Sequence, residues 1–348
     1  STALEQQATM SDYADAAAAA AGAASSASGG SDGGALPILL ALLGGVTHTL
    51  LQLGFALACL AALVLLLVFV FQRRLLYVPV IPGQPAKTYQ YTPNDFNMYY
   101  RDVPITAADG VKTHGWLCRS KQYTVLRSPV TIFFQENAGN ISHRLPFAQM
   151  LCATVPSVVF LLSYRGYGAS EGTPSQKGIE LDAQACIDTV SDQPDVDGNS
   201  IVLFGKSLGG AVAVAMALKN PRRIRAVILE NTFTSISEMA GKVFPFLRPI
   251  VGPGQPLNSL VRERWESLAR LKEYFGDESS DEAKAFPPCL CLVSAQDEMV
   301  PPEMMERLYA SIRSPRKHIV TFAQARHMDA YVRHRDQYWS TVKDFYLR

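Results

Sequence analysis

The chain has 348 residues, 48% hydrophobic and 18% charged, with a net charge of +1. These values exclude a wholly disordered, collagenous or coiled-coil protein, and the charge balance gives no reason to expect a nucleic-acid partner. The length suits about two domains, or one large α/β domain with extensions.

Residues 1–34 are rich in Ala, Ser and Gly, with the run Ala16–Ala21 followed by SSASGGSDGG. Such a segment buries too little apolar surface to offset its ordering entropy, so a flexible low-complexity tail is expected. The charges are unevenly placed. Residues 1–72 hold Glu5, Asp12, Asp15 and Asp32 and no Lys or Arg, so all 32 basic residues lie beyond them.

Residues 35–72 read as a membrane anchor, because no charged residue occurs from Ala35 to Phe71. A membrane helix needs roughly 20 apolar residues. The strongest part is residues 50–71, LLQLGFALACLAALVLLLVFVF, which is expected to span the bilayer. Gly44, Gly45 and His48 mark a weak point, so Leu36–Val46 is expected to form an interfacial or re-entrant lead-in. Arg73 and Arg74 follow the span directly. By the positive-inside rule they predict a single-pass protein with its C-terminal part in the cytosol. Residues 73–97, rich in Pro and Tyr, read as a linker or collar.

Residues 98–348 alternate apolar runs with amphipathic stretches. Two strands flank the turn Asp109-Gly110. Further strands are expected at Val130–Gln135, Ser157–Ser163, Ile201–Gly205, Ala226–Glu230, Pro288–Ser294 and Ile319–Ala323. Helices are expected at 141–153, 177–191, 209–220, 301–312 and 331–347. This pattern predicts a mainly parallel α/β sheet buried on both faces. Residues 234–285 interrupt the alternation. They contain FPFLRPIVGPG, the helix-like VRERWESLARLKEYF and the polar GDESSDEAK, and they read as an inserted cap or a decorated crossover.

The chemistry centres on GKSLG at 205–209, a G-x-S-x-G pentapeptide. It follows the strand IVLFG and opens the helix-like GGAVAVAMALKN, the context a nucleophile elbow requires. Gly205 and Gly209 are expected to be glycine because a side chain would collide within the sharp turn. Ser207 is the expected nucleophile. It needs a base, and the expected chain order is Ser, acid, His. Asp297 follows one strand, in SAQDEMVPP, and His327 follows another, in QARHMD. Both therefore lie at C-terminal strand ends, where α/β sheets place their sites. His327 would take the serine proton, and Asp297 would orient the imidazole. Glu298 and Asp329 are the nearest rival acids, and Glu230 is a further one. His48, His114, His143, His318 and His334 are more simply structural. The oxyanion hole is expected from the backbone amides of Leu208 and Asn137, with Glu136 as the alternative to Asn137.

Other motifs read more plainly. GYGASEG at 166–172 has the wrong glycine spacing for a dinucleotide loop and reads as a turn. Asn140-Ile141-Ser142 is a glycosylation sequon without meaning in the cytosol. Lys206 reads as solvent-facing or locally paired. Cys59, Cys118, Cys152, Cys186, Cys289 and Cys291 show no zinc spacing, so no metal and no cofactor is expected.

As a set, FQENAGNISHRLP, SYRGYGASEG, LFGKSLGGAVA, ENTFTSI, SAQDEMVPPEMM and the late His327 resemble the membrane-anchored α/β-hydrolase-domain family. The resemblance covers roughly residues 75–348 and the position of the anchor. It implies an eight-stranded α/β-hydrolase sheet and a Ser-Asp-His triad falling on Ser207, Asp297 and His327. It also implies hydrolysis of ester or thioester bonds in a lipid or acyl-protein substrate. Some relatives remove fatty acyl groups from protein cysteines, and some are classed as serine peptidases. Family members are often drawn with the catalytic domain in the lumen, against the positive-inside reading. Two departures stand out. Gln135-Glu136 occupies the place of a common His-Gly, and Ser163 that of a common Asp. A catalytically silent scaffold with the same fold and a serine peptidase are the alternatives to an esterase or thioesterase.

Overall fold

The computed structural model describes residues 35–121, 128–155, 157–276 and 285–348. The expected flexible tail and most of the polar loop GDESSDEAK lie outside the described residues. The chain divides into two compact units, with the boundary between Val68 and Phe69.

The first described element is helix α1, Ala35–Leu76. It is one continuous helix, so the expected break at Gly44-Gly45-His48 does not occur. Glycine costs a helix only about 1 kcal/mol relative to alanine. Here Thr47 Oγ1 and Thr49 Oγ1 donate back to the Gly44 and Gly45 carbonyls, both at 2.9 Å. With 42 residues at about 1.5 Å each, α1 is roughly 63 Å long, about twice a hydrocarbon core of about 30 Å. Its side chains are exposed from Leu36 to Val68, and it is long and apolar enough to cross a membrane, with a mean hydropathy of 3.0 over its most apolar window.

The second unit is built on an eight-stranded sheet. The strands are β1 Met98–Thr106, β2 Lys112–Ser120, β3 Ser128–Phe134, β4 Val158–Ser163, β5 Val196–Lys206, β6 Ile224–Glu230, β7 Cys289–Ser294 and β8 Lys317–Phe322, in spatial order β1-β2-β4-β3-β5-β6-β7-β8. β2 pairs antiparallel with β1 and β4, and all other pairings are parallel. The expected eight-stranded, mainly parallel α/β-hydrolase sheet is therefore present.

Alternation along each strand feeds two cores. In β5, Ile201 and Leu203 join one apolar cluster while Val202 and Phe204 join the other. The first cluster receives helices α3 Gln176–Ser191 and α4 Leu208–Lys219. The second receives α2 Leu145–Thr154 and the C-terminal α9 Arg335–Leu347, which the short α8 Ala330–Arg333 precedes. Cys289 and Cys291 are buried in β7 with Sγ atoms 4.0 Å apart, packing as small strand residues.

The segment between β6 and β7 contributes α5 Ile236–Val243 and α6 Ser267–Phe275, with 3-10 turns at Pro245–Leu247 and Asn258–Leu260 between them. Helix α7, Pro302–Ser311, follows β7. The helix expected across 261–275 forms only from Ser267. Upstream, Glu263 turns inward, where its carboxylate accepts from Arg73 Nε at 2.7 Å, Tyr77 OH at 2.8 Å and the Gln176 amide. Trp265 is buried at a φ of 44°. Tertiary partners override helical propensity there.

The strand order positions the site. β3 lies between β4 and β5, so the connections leaving β3 and β5 run to opposite sides. Open α/β sheets place their sites at such a switch point, at the C-terminal strand ends. The loop after β3 and the turn after β5 leave neighbouring, paired strands there.

Candidate active site

β5 ends in Lys206, and α4 begins at Leu208, leaving Ser207 alone in the turn. Ser207 has φ 52° and ψ −118°, a conformation that a side chain strongly disfavours. Its surroundings hold it there. The Ser207 amide donates to the Glu230 carbonyl at 2.9 Å, and Thr232 Oγ1 donates to the Ser207 carbonyl at 2.7 Å. The flanking glycines have no spare room. A Cβ on Gly205 would lie 2.2 Å from the Gly209 carbonyl oxygen, and one on Gly209 would lie 1.8 Å from that of Phe134. The second figure also places the elbow in backbone contact with the end of β3. Leu208, as the first residue of α4, has an amide with no intrahelical acceptor.

Asp297 and His327 meet although 30 residues separate them. His327 Nδ1 lies 2.7 Å from Asp297 Oδ2, and both side chains are nearly fully buried. The other Asp297 oxygen accepts from the Met299 and Val300 amides, each at 2.8 Å, which fixes the carboxylate. The rival acids are engaged elsewhere. Glu298 accepts from the backbone amide of His327, at 3.2 Å, rather than from its ring. Asp329 accepts from the Arg326 amide and pairs with Arg333. Glu230 lies against Lys206 and Tyr338. Among the described residues, no hydrogen bond is recorded between Ser207 and the His327 ring.

Asn231 links the two halves of the site, a role that the sequence reading missed. At φ 46°, it donates from Nδ2 to the His327 carbonyl and to Ser294 Oγ, both at 2.9 Å, and accepts from the Ser294 amide at 2.8 Å. It directly follows Glu230, whose carbonyl holds Ser207. An Asn just past a strand end is the available signal, since Asn tolerates positive φ better than most residues.

A buried charge cluster underlies the elbow. Lys206 is not solvent-facing but 1% exposed, with Nζ 3.1 Å from Glu230 and 3.7 Å from Glu136. Arg144 pairs with Glu136 at 2.9 Å. Two cations and two carboxylates therefore balance in a site where an unpaired charge would be costly. Burial works to raise the Glu136 carboxyl, but Arg144 and Lys206 outweigh it and hold Glu136 below the usual carboxylate range. Burial likewise works to lower Lys206, and Glu230 and Glu136 outweigh it, so the ammonium sits above its ordinary value. Burial pushes the Tyr338 phenol well up, and its hydrogen bond to Glu230 adds to the shift. The departure Gln135-Glu136 thus serves an ionic anchor for the loop after β3.

The remaining motifs are structural. Arg165 of the YRGYG turn pairs with Asp182 and Asp109. Ser163 Oγ donates to the Tyr167 carbonyl at 2.9 Å. Asn140 caps the 3-10 turn Ile141–Arg144, its side chain accepting from the Ser142 amide. Among the described residues, no group of three or more His, Cys, Asp or Glu is placed to hold a metal ion.

A family profile described as the prolyl oligopeptidase family matches residues 172–348. The Arabidopsis thaliana α/β hydrolase domain-containing protein WAV2 is 43% identical over 286 residues, covering 80% of this chain and 88% of that protein. The chain belongs to the prolyl oligopeptidase family and is an α/β-hydrolase-domain protein. Among its family relatives, an uncharacterised membrane protein of Saccharomyces cerevisiae, YNL320W, is 32% identical over 80% of this chain and 89% of its own length. The fold is shared with the Pyrococcus furiosus esterase Pf2001, at a TM-score of 0.57 and 18% identity over 75% of this chain and 94% of that one.

Proposed function

We propose that this α/β-hydrolase-domain protein is a membrane-anchored serine hydrolase. In this reading it cleaves carboxylic ester or thioester bonds of a lipid or acylated protein through an acyl-enzyme on Ser207. The observation that carries the proposal is the buried Asp297–His327 pair, held by Asn231 to the same strand end that holds the strained Ser207 elbow. A fold needs neither the strain nor the buried pair for stability alone.

Ser207 Oγ attacks the substrate carbonyl carbon while its proton passes to His327 Nε2. Asp297 keeps the proton on Nδ1 and stabilises the imidazolium. The carbonyl oxygen gains negative charge and takes donors from the Leu208 and Asn137 amides. The Glu136 amide is the weaker alternative, because it faces its own carboxylate. The tetrahedral intermediate collapses, and His327 returns the proton to the leaving alcohol or thiol. Water then repeats the sequence on the acyl-enzyme and releases the acid. The serine–imidazole contact tightens when substrate binds, as catalytic hydrogen bonds often do.

Anchoring rests on α1 and on the relative named as a membrane protein. Arg73 and Arg74 favour a cytosolic domain. Protection of that domain from protease added outside intact cytosol-out vesicles would reverse the orientation. Membership of the prolyl oligopeptidase family favours a second reading, a serine peptidase using the same residues. Parallel assays with peptide and acyl-thioester substrates separate the two.

The experiment that tests the core of the proposal is labelling with a fluorophosphonate probe. Wild type should label, and Ser207→Ala and His327→Ala should not. Equal labelling of Ser207→Ala would reject the nucleophile.

A further inference from the structure

The loop after β3 is held from two sides. On its inner side, Glu136 meets Arg144 and Lys206, as described above. On its outer side lies the segment that leaves the apolar helix, residues 76–84. The side chain of Asn137 is the contact between them. Its Nδ2 donates to the Leu76 carbonyl, while Oδ1 accepts from Tyr167 OH at 2.9 Å and from the Val78 amide at 3.4 Å. Two residues on, the Gly139 amide donates to the Val78 carbonyl at 3.0 Å. Gly139 has φ 78°, and a Cβ there would lie 2.9 Å from Ile81 Cδ1, so the segment packs directly on the loop. Further along, His143 Nε2 bonds to Gln84 Oε1.

The helix-proximal end of the segment is also tied to the region before α6. Tyr77, buried, donates to Glu263 at 2.8 Å and accepts from Trp265 Nε1 at 3.0 Å. The segment therefore cannot shift without loosening the loop that carries the Asn137 amide.

We infer that residues 76–84 are a positioning strap for the oxyanion loop, clamped to it through the Asn137 side chain. The inference deepens the serine-hydrolase reading and rests on it for its catalytic consequence. A loop amide must sit about 3 Å from the developing oxyanion, and loss of one donor costs about 10²–10³-fold in turnover. A chain that displaces the strap would lower turnover without touching the triad.

The test compares the full-length, detergent-solubilised wild type with Asn137→Ala and Tyr167→Phe. Asn137→Ala keeps the backbone amide and removes the clamp. Turnover of a p-nitrophenyl ester should fall about 10- to 100-fold, a partial loss of one oxyanion donor, with KM and melting temperature close to wild type. Amide hydrogen exchange across residues 137–143 should speed up at least about 10-fold as the strap contacts open. Tyr167→Phe removes one donor to Oδ1 and should show a smaller shift in the same direction, which keeps the inference testable if Asn137→Ala fails to fold. Full turnover in a folded Asn137→Ala, or unchanged exchange across the loop, overturns the strap. Failure of the hydrolase reading is separate, because wild type would then show no ester hydrolysis or Ser207→Ala would keep it. The exchange measurement would still decide the strap.

Discussion

Helices α1 and α4 are both apolar almost from end to end, but they live in opposite surroundings. α1 exposes its Leu, Val and Phe side chains from Leu36 to Val68, whereas α4 buries every residue from Leu208 to Ala217. Their glycines show the same contrast. Gly44, Gly45 and Gly54 of α1 have nothing within 4 Å of where a Cβ would stand. Gly209 and Gly210 of α4 have backbone or Thr232 atoms closer than 2.5 Å to that point. Small residues in α4 let a helix press on the sheet and carry the Ser207 turn. Large residues in α1 leave an apolar surface exposed from Leu36 to Val68. Apolarity alone therefore does not report burial; side-chain size and length separate the two cases.

The contrast is sharpened most by Ser207→Ala at the head of α4. Turnover should fall on the order of 10⁶-fold, with the thermal midpoint nearly unchanged. Any comparable loss from a conservative change within α1, measured on protein in detergent, would break the division of labour between the helices. Next comes Gly209→Ala, whose Cβ would press on two backbone carbonyls. It should destabilise the domain by about 3 kcal/mol or more in urea melts, as overpacking against immovable atoms does. Gly45→Ala in α1 should leave that melt unchanged. Val212→Ala, at a fully buried α4 position, should cost about 1–3 kcal/mol. Val64→Ala, at an exposed α1 position, should stay within about 0.5 kcal/mol.

The smallest expected effect is a pH dependence that belongs to the α4 side alone. Glu136 is held below its ordinary range, so its contribution is complete above about pH 5 and is lost as pH falls through the depressed value. Lys206 is held above its ordinary range, so its contribution is complete below about pH 10 and is lost as pH rises through the raised value. Between these limits the pair should add no slope to stability. Urea melts of Glu136→Gln should show a weaker acid limb than wild type. An identical acid limb would remove Glu136 from the account.

Local pattern made much of this legible. The expected strands match β1 to β8 in number and order, because apolar β-branched runs bounded by turn residues have few other uses. The elbow was readable because GKSLG stands between a strand and a small-residue helix. The chain order then nominated Asp297 and His327. Long-range matters were not readable. Lys206 reads as solvent-facing or locally paired, and only the fold brings Glu230 and Glu136 to it from two other strand ends.

Residue order alone signals the alternation of elements, the turn at Ser207 and the long uncharged apolar run of the anchor. The period of the elements acts within a few residues, and the glycines mark the turn at Ser207 although Phe134, Glu230 and Thr232, which confine it, arrive from other strand ends. The folded arrangement selects which of four carboxylates reaches the His327 ring, ties Ser207 and His327 to one strand end through Asn231, and sets the Asn137 side chain against residues 76–78. Those outcomes depend on strand order and on pairings across 30 to more than 90 residues. No local rule specifies them, because any of the four acids and any nearby amide would satisfy the same short-range pattern.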